Sequence, residues 1–410
     1  MPTDSGVQVR FDLAVDTASL DLADAVLKGA VHGAMRGSVV PDADRQGFSF
    51  VRTGGALPAD SYTLTVRSGP DGVRAAGGGT LDGDRDGTAG DAFNAFFSVP
   101  DREIVSVSIP DVVRSPSEAV VDSNASLGGL RLPVAVSQAE GITRVAFTLR
   151  FDPALLDLKD VRLAQGYAGT LNRTAVAGGV RVEARFQAPL GRGPASPVEL
   201  VAQVAPDAPY GAAQVLDLTD VELDGADGTA LAVRGDEAVQ IAAHLLDANG
   251  DGQYSSADLQ EMLAVLVGAG GFTGFPAIDP TLIGDLNGNG KLTTLDANRF
   301  RQFLAGQARQ EISAPPLLPL VGKAAAREGG TDTIAPQAQV TSTVAWNETW
   351  AARAGTVTAP GSVAPSASAT AAANTDWTNA PWAIDLAQRM RQMSSGGALR
   401  TLSKTLVKKL

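Results

Sequence analysis

Two stretches of this chain place oxygen-bearing side chains at a spacing that suits a hard cation. In residues 247–258, Asp247, Asn249, Asp251, Ser255 and Asp258 fall at positions 1, 3, 5, 9 and 12 of a twelve-residue loop, with Gly252 at position 6. A glycine is expected there because the chain must turn through a backbone angle that a β-carbon disfavours, and Gln253 at position 7 then offers its main-chain carbonyl. Residues 285–296 repeat the arrangement with Asp285, Asn287, Asn289, Thr293 and Asp296, Gly290 at position 6 and Lys291 at position 7. An oxygen-only set of this kind is the coordination chemistry of calcium, which takes ~6–8 oxygen ligands. Position 5 is a carboxylate in the first loop and the amide of Asn289 in the second, so the second site is expected to bind more weakly. A third acidic run offers Asp82, Asp84 and Asp86 at the spacing of the first half of such a loop, but Phe93 stands where position 12 would fall. There a solvated turn is the first reading, and an irregular calcium site completed by Asp91 is the second.

Each loop needs an element to hold it. After the first loop, Leu259, Met262, Leu263, Val265 and Leu266 recur at helical spacing; after the second, Phe300, Phe303 and Leu304 do the same. Two helices are therefore predicted to pack together, with Tyr254 and Leu292 at position 8 facing inward. This duplicated loop-helix pattern over about residues 243–306 resembles type I dockerins, whose loops carry aspartate at position 12. The resemblance implies that calcium is structural, that binding and folding of the unit are coupled, and that a cohesin partner would be met through Ser256 and Ala257 with Leu263 and Ala264, and through Thr294 and Leu295 with Arg301 and Gln302. Those two sets differ, which argues against two equivalent docking modes.

Composition narrows the field. The chain has 410 residues, a formal net charge of −12, a pI near 4.7, 45 glycines, 23 prolines and only 5% aromatic residues. No basic face is available to displace counterions from a nucleic acid. Zero cysteines exclude disulfides and thiolate chemistry, and His32 and His244 are the only histidines. No Gly-x-Ser-x-Gly elbow, His-Glu-x-x-His or phosphate loop occurs, so no enzyme is expected. No apolar run is long enough to span a membrane, and the start of the chain lacks the regions of a signal peptide. The chain enters a strand within a few residues of Met1, as expected of a piece of a longer polypeptide.

The remainder reads as short alternating strands. Over residues 1–100, Val7–Leu13, Gly47–Val51, Tyr62–Val66 and Ala95–Val99 are separated by turn residues, the pattern of a small antiparallel sandwich. The runs beginning Ser5-Gly6-Val7 and Gly55-Ala56-Leu57-Pro58 resemble the immunoglobulin-like repeats of bacterial surface-layer proteins, without their usual first strand. Over residues 101–242 a second β unit is predicted, in which Phe147, Leu149 and Phe151 share one face and Asp152-Pro153 ends the strand. Ile109-Pro110-Asp111, Phe151-Asp152-Pro153, Gly179-Val180-Arg181-Val182, Ala208-Pro209-Tyr210-Gly211 and Leu218-Thr219-Asp220-Val221-Glu222-Leu223 run in the order that resembles cohesin domains.

The expected fold is mainly β with a small α unit. Two tandem β-sandwiches (1–100 and 101–242) precede a calcium loop-helix module (243–310) and a linker rich in Ala, Thr, Ser and Pro that ends in a basic segment (311–410). That tail holds all four tryptophans, and an amphipathic helix is expected on each side of Ser394-Ser395-Gly396-Gly397. The resemblances imply a non-catalytic scaffold or adhesion protein of the bacterial surface or extracellular space. Its partners would be cohesin or dockerin modules, with a polysaccharide as a further ligand class. The alternative is a cellulosome-type component that docks onto a cohesin in polysaccharide catabolism.

Overall fold

The computed structural model describes residues 4–101, 104–118, 132–307 and 312. The expectations for the linker, the four tryptophans and the basic C-terminal helices fall outside these residues. The described residues are mainly β, with few helices.

The first sandwich has seven strands: β1 Gly6–Arg10, β2 Ala25–Gly29, β3 Gly33–Ala34, β4 Gly37–Pro41, β5 Gly47–Arg52, β6 Asp60–Val66 and β7 Phe93–Val99. They form a three-stranded sheet in the order β1-β5-β4 and a four-stranded sheet in the order β3-β2-β6-β7. Strand β6 shows why: Tyr62, Leu64 and Val66 are buried while Ser61, Thr63 and Thr65 alternate outward. They meet Val7, Val9, Phe48 and Phe50 from the opposite sheet in one core. Strands β2, β3 and β4 were not anticipated from the sequence. The run Gly37-Ser38-Val39-Val40 is buried on both faces and so shows no alternation.

The second sandwich contains β8 Val105–Ser108, β9 Val112–Arg114, β10 Leu132–Val136, β11 Ile142–Arg150, β12 Leu156–Leu163, β13 Gly169–Val176, β14 Gly179–Phe186, β15 Ala195–Val204, β16 Ala213–Gly225, β17 Val233–Asp236 and β18 Ala238–Ala242. Its five-stranded sheet runs β12-β15-β10-β8-β17 and its six-stranded sheet β13-β14-β11-β16-β18-β9. The unit closes on itself: β8 pairs parallel with β17, and β9 pairs parallel with β18. The chain crosses between sheets at Ile109-Pro110-Asp111, and Asp111 Oδ1 accepts the Val239 amide at 2.8 Å. Phe147 and Leu149 are fully buried, as the alternation predicts, but Ala146 and Thr148 on the other face of β11 are buried too. That outer face carries Arg144 bridging Glu183, Glu222 and Asp224, and Arg181 bridging Glu222. Long ion-paired side chains can lay their stems over the small residues between them.

Helices α1 Ser256–Leu266, α2 Pro280–Gly284 and α3 Thr294–Leu304 follow. Met262 and Phe300 are fully buried, and they share a core with Val40 and Val51 of the first sandwich and with Val113, Val239 and Ile241 of the second. The segment between α1 and α2 hydrogen-bonds to the first sandwich through Val39 N to Ala277 O at 2.7 Å and Asp279 N to Ser38 Oγ at 3.0 Å. The helical segment is thus built into both sandwiches.

Candidate metal centre

The two loops share the hydrogen bonds made at positions 1, 5 and 12. At position 1, Asp247 accepts the amides of Asp251 at 3.2 Å and Gly252 at 2.8 Å; Asp285 accepts those of Asn289 at 3.2 Å and Gly290 at 2.6 Å. At position 12, Asp258 accepts the amides of Asn249 at 3.2 Å and Ser255 at 2.9 Å; Asp296 accepts those of Asn287 at 3.1 Å and Thr293 at 2.9 Å. At position 5, Asp251 Oδ1 accepts Gln253 N at 2.8 Å and Asn289 Oδ1 accepts Lys291 N at 3.0 Å. Gly250, Gly252, Gly288 and Gly290 all have φ between 68° and 78°, so both loops turn through the left-handed region at positions 4 and 6. The position-4 glycines therefore matter as much as those the motif singles out.

Asp258 and Asp296 have a second role. Each sits three residues after a helix cap, Ser255 or Thr293, and completes a capping box. A helix-starting function alone would account for a buried aspartate at position 12; it would not account for the buried Asp247 and Asp285 at position 1. Position 3 separates the copies: Asn249 Nδ2 donates to Asp251, whereas Asn287 Nδ2 donates to Asp296.

Each loop is also fastened from outside, by residues whose part in the site the sequence gave no reason to expect. The Tyr210 hydroxyl donates to Asp247 Oδ2 and accepts the His244 amide at 3.0 Å. Burial and the bonded Asp247 carboxylate push the Tyr210 hydroxyl far above the ordinary tyrosine range. Burial likewise raises the Asp247 carboxyl to about 6, against the opposing hydrogen bonds of Tyr210 and Gly252. Tyr254 packs edge-on against Phe300, Phe303 and His244, as position 8 predicts. At the second loop, Arg36 of the first sandwich donates to Thr281 Oγ1 and to the carbonyl of Gly290, both at 2.8 Å. Both fasteners come from far away in sequence, and no local pattern announces them.

The residues expected to meet a partner are mostly at the surface. Ser256, Ala257, Ala264, Thr294 and Arg301 are exposed, Gln302 is half-buried, and Leu263 and Leu295 are 47% and 50% exposed despite being large and apolar. Leu263 departs from the predicted inward stripe.

Carboxylates in loop one, Asp247, Asp251 and Asp258, do not all draw within 4.8 Å of one another. Among the described residues, the trio that does is Asp82, Asp84 and Asp91. Asp86 instead accepts the amide of Thr88 at 2.7 Å.

No family model matches the chain, and no curated protein does. Solved structures similar to it include a non-cellulosomal cohesin from the archaeon Archaeoglobus fulgidus, at 14% identity over 34% of this chain and 91% of that one, with a TM-score of 0.26. A chain of a type I cohesin–dockerin complex from Clostridium thermocellum matches at 12% identity over 35% and 96%, with a TM-score of 0.29. The seventh ScaB type I cohesin from Pseudobacteroides cellulosolvens matches at 13% over 34% and 91%, with a TM-score of 0.27. At these scores the likeness decides nothing about what this chain binds. Among the described residues no helix is long and apolar enough to cross a membrane.

Proposed function

We propose that this chain is a non-catalytic, calcium-stabilised scaffold or adhesion protein of the cell surface or extracellular space. Its two sandwiches are held to a loop-helix unit that binds two calcium ions. The observation that carries the reading is the duplicated hydrogen-bond skeleton of residues 247–258 and 285–296, with a buried aspartate at positions 1 and 12 of each loop. Oxygens of Asp247, Asn249, Asp251, Ser255 and Asp258 with the Gln253 carbonyl would hold the first ion. Asp285, Asn287, Asn289, Thr293 and Asp296 with the Lys291 carbonyl would hold the second. Bound calcium would offset the mutual repulsion of these carboxylates, so folding of residues 243–310 would depend on it. The partner would be a protein.

A second reading makes the chain a cellulosome-type component whose helical unit docks onto a cohesin. The outward-facing Leu263 and Leu295, beside Ser256, Ala257 and Thr294, favour it, since exposed leucines at a helix surface suit a docking contact. Polysaccharide would then be the target of an associated module.

Calorimetric titration of calcium into the chelator-treated full chain, followed by thermal unfolding, tests the first reading. The full chain is the right object because Met262 and Phe300 share their core with both sandwiches. Loss of the two loop-bound ions in an Asp247→Asn/Asp285→Asn variant, with a Tm raised by calcium in the parent, is expected. Binding unaltered by those substitutions would overturn it. For the second reading, saturable capture by an immobilised type I cohesin that Leu263→Arg abolishes is the expected result.

A further inference from the structure

We infer that the first sandwich carries a cation site of its own, built by Asp82, Asp84 and Asp91. The site is independent of the two loops above and closes the segment that leads into β7. One oxygen from each of the three aspartates lies within 4.8 Å of the other two. Oxygens this close can share a single calcium ion at a calcium–oxygen distance of ~2.4 Å.

A second observation points the same way. Asp82 is only 8% exposed, and while its Oδ2 accepts the amide of Gly87 at 3.0 Å, its Oδ1 is buried with no hydrogen-bond partner. A buried carboxylate oxygen left without a donor is costly, and a cation bound where the carboxylates converge would satisfy it. An all-carboxylate set favours a hard ion such as calcium over zinc.

The surrounding backbone is arranged for this. Asp91 accepts the amides of Gly83 at 3.3 Å and Asp84 at 2.9 Å, while Asp84 Oδ1 accepts the amide of Asp86 at 3.0 Å. A β-carbon at Gly83 would stand 2.3 Å from the main-chain carbon of Ala92, so the two ends of the loop touch where the carboxylates converge. The Leu81 carbonyl accepts the Gly90 amide at 2.7 Å and the Ser68 hydroxyl at 2.8 Å, fixing the base of the loop to the sandwich. The sequence pattern points to Asp86 as the third ligand; the fold puts Asp91 there, because the chain has doubled back to begin β7.

Calcium is the probe, counted by calorimetry on the full chain after chelation. An Asp82→Asn/Asp84→Asn variant is expected to bind one ion fewer than the parent, and an Asp247→Asn/Asp285→Asn variant to retain that ion. Asp84→Asn alone keeps its hydrogen bond to Asp86 N and lies at the surface, so it reports on binding even if the double variant folds poorly; its affinity for that ion should fall about tenfold. Trypsin supplies a second readout: with calcium at about ten times the Kd, cleavage after the exposed Arg85 should slow about tenfold in the parent and not in Asp84→Asn. Equal stoichiometry and equal affinity in the parent, in Asp82→Asn/Asp84→Asn and in Asp84→Asn would overturn the site. So would an Arg85 protection that vanishes in Asp247→Asn/Asp285→Asn but survives in Asp84→Asn. If the two loops bind nothing, the parent should bind one ion and the Asp82→Asn/Asp84→Asn variant none, so the two proposals fail separately.

Discussion

Loop 247–258 and loop 285–296 share a backbone and a hydrogen-bond skeleton but are attached to different parts of the molecule. The first is tied by the Tyr210 hydroxyl to the second sandwich; the second is tied by the Arg36 guanidinium to the first sandwich. Their charges differ as well, three carboxylates in one against two in the other. The shared skeleton shows that position 5 needs only an acceptor for the position-7 amide, which aspartate and asparagine both supply. On the proposed calcium reading, the carboxylate at that position would set affinity without altering shape. The different attachments show that a duplicated unit need not respond as a pair.

The harshest way to break the comparison is to remove a position-12 aspartate. Asp258→Ala strips acceptors from the amides of Asn249 and Ser255 and ends the capping box of α1; Asp296→Ala does the same for Asn287, Thr293 and α3. Each should cost about 3 kcal/mol in urea unfolding with calcium present. A loss below about 1 kcal/mol at either would show that the loop skeleton is not what holds that helix. Tyr210→Phe comes next. It keeps the ring in place but removes one of the three donors to Asp247 and leaves the His244 amide without its acceptor, at about 2 kcal/mol. Calorimetry should find the first calcium site changed and the second intact; equal changes at both would mean the loops are coupled.

A pH scan probes the junction the loops share. Asp111, which accepts the Val239 amide, is pushed up to about 7 by burial, with Asp236 and Asp279 adding to the rise. The folded state keeps a proton that the unfolded chain releases near pH 4, so this contribution is complete below about pH 4 and is lost as pH rises to about 7. The Tm of the chelated protein should therefore be a few degrees higher at pH 5.5 than at pH 8, a difference that Asp111→Asn reduces and that the raised Asp247 carboxyl partly preserves.

Charge is the milder lever. Asp251→Asn gives the first loop the composition of the second, and its calcium affinity should fall about fivefold with an unchanged circular dichroism spectrum. Asn289→Asp should do the converse, and a change in fold would contradict the reading that position 5 sets affinity alone. Arg36→Ala is expected to be the smallest perturbation, about 0.5–1 kcal/mol, because its guanidinium is exposed and both of its acceptors are uncharged. Its effect should be confined to the second loop, seen as faster trypsin cleavage after Lys291.

Much of this architecture was legible in the chain. Strands with clean alternation, such as Tyr62-Thr63-Leu64-Thr65-Val66, announced themselves, and so did both helices that follow the loops. The loop residues could be named because position, side-chain oxygen and glycine are all local properties. Strand β4 could not, because Ser38, Val39 and Val40 are buried on both faces and lose the period that identifies a strand. The inward stripe of α1 was read too broadly, since Leu263 satisfies helical spacing yet faces out.

What the sequence determined by itself is the local chemistry: which oxygens recur at which spacing, where the chain must turn, and which segments alternate as strands. The tertiary structure alone decided what those pieces touch. Tyr210 reaches Asp247 and Arg36 reaches Gly290 across long stretches of chain, and Asp86, which the spacing sets beside Asp82 and Asp84, stays out of the group those two form with Asp91. Contacts of that kind arise from the packing of whole sheets, which no window of neighbouring residues encodes.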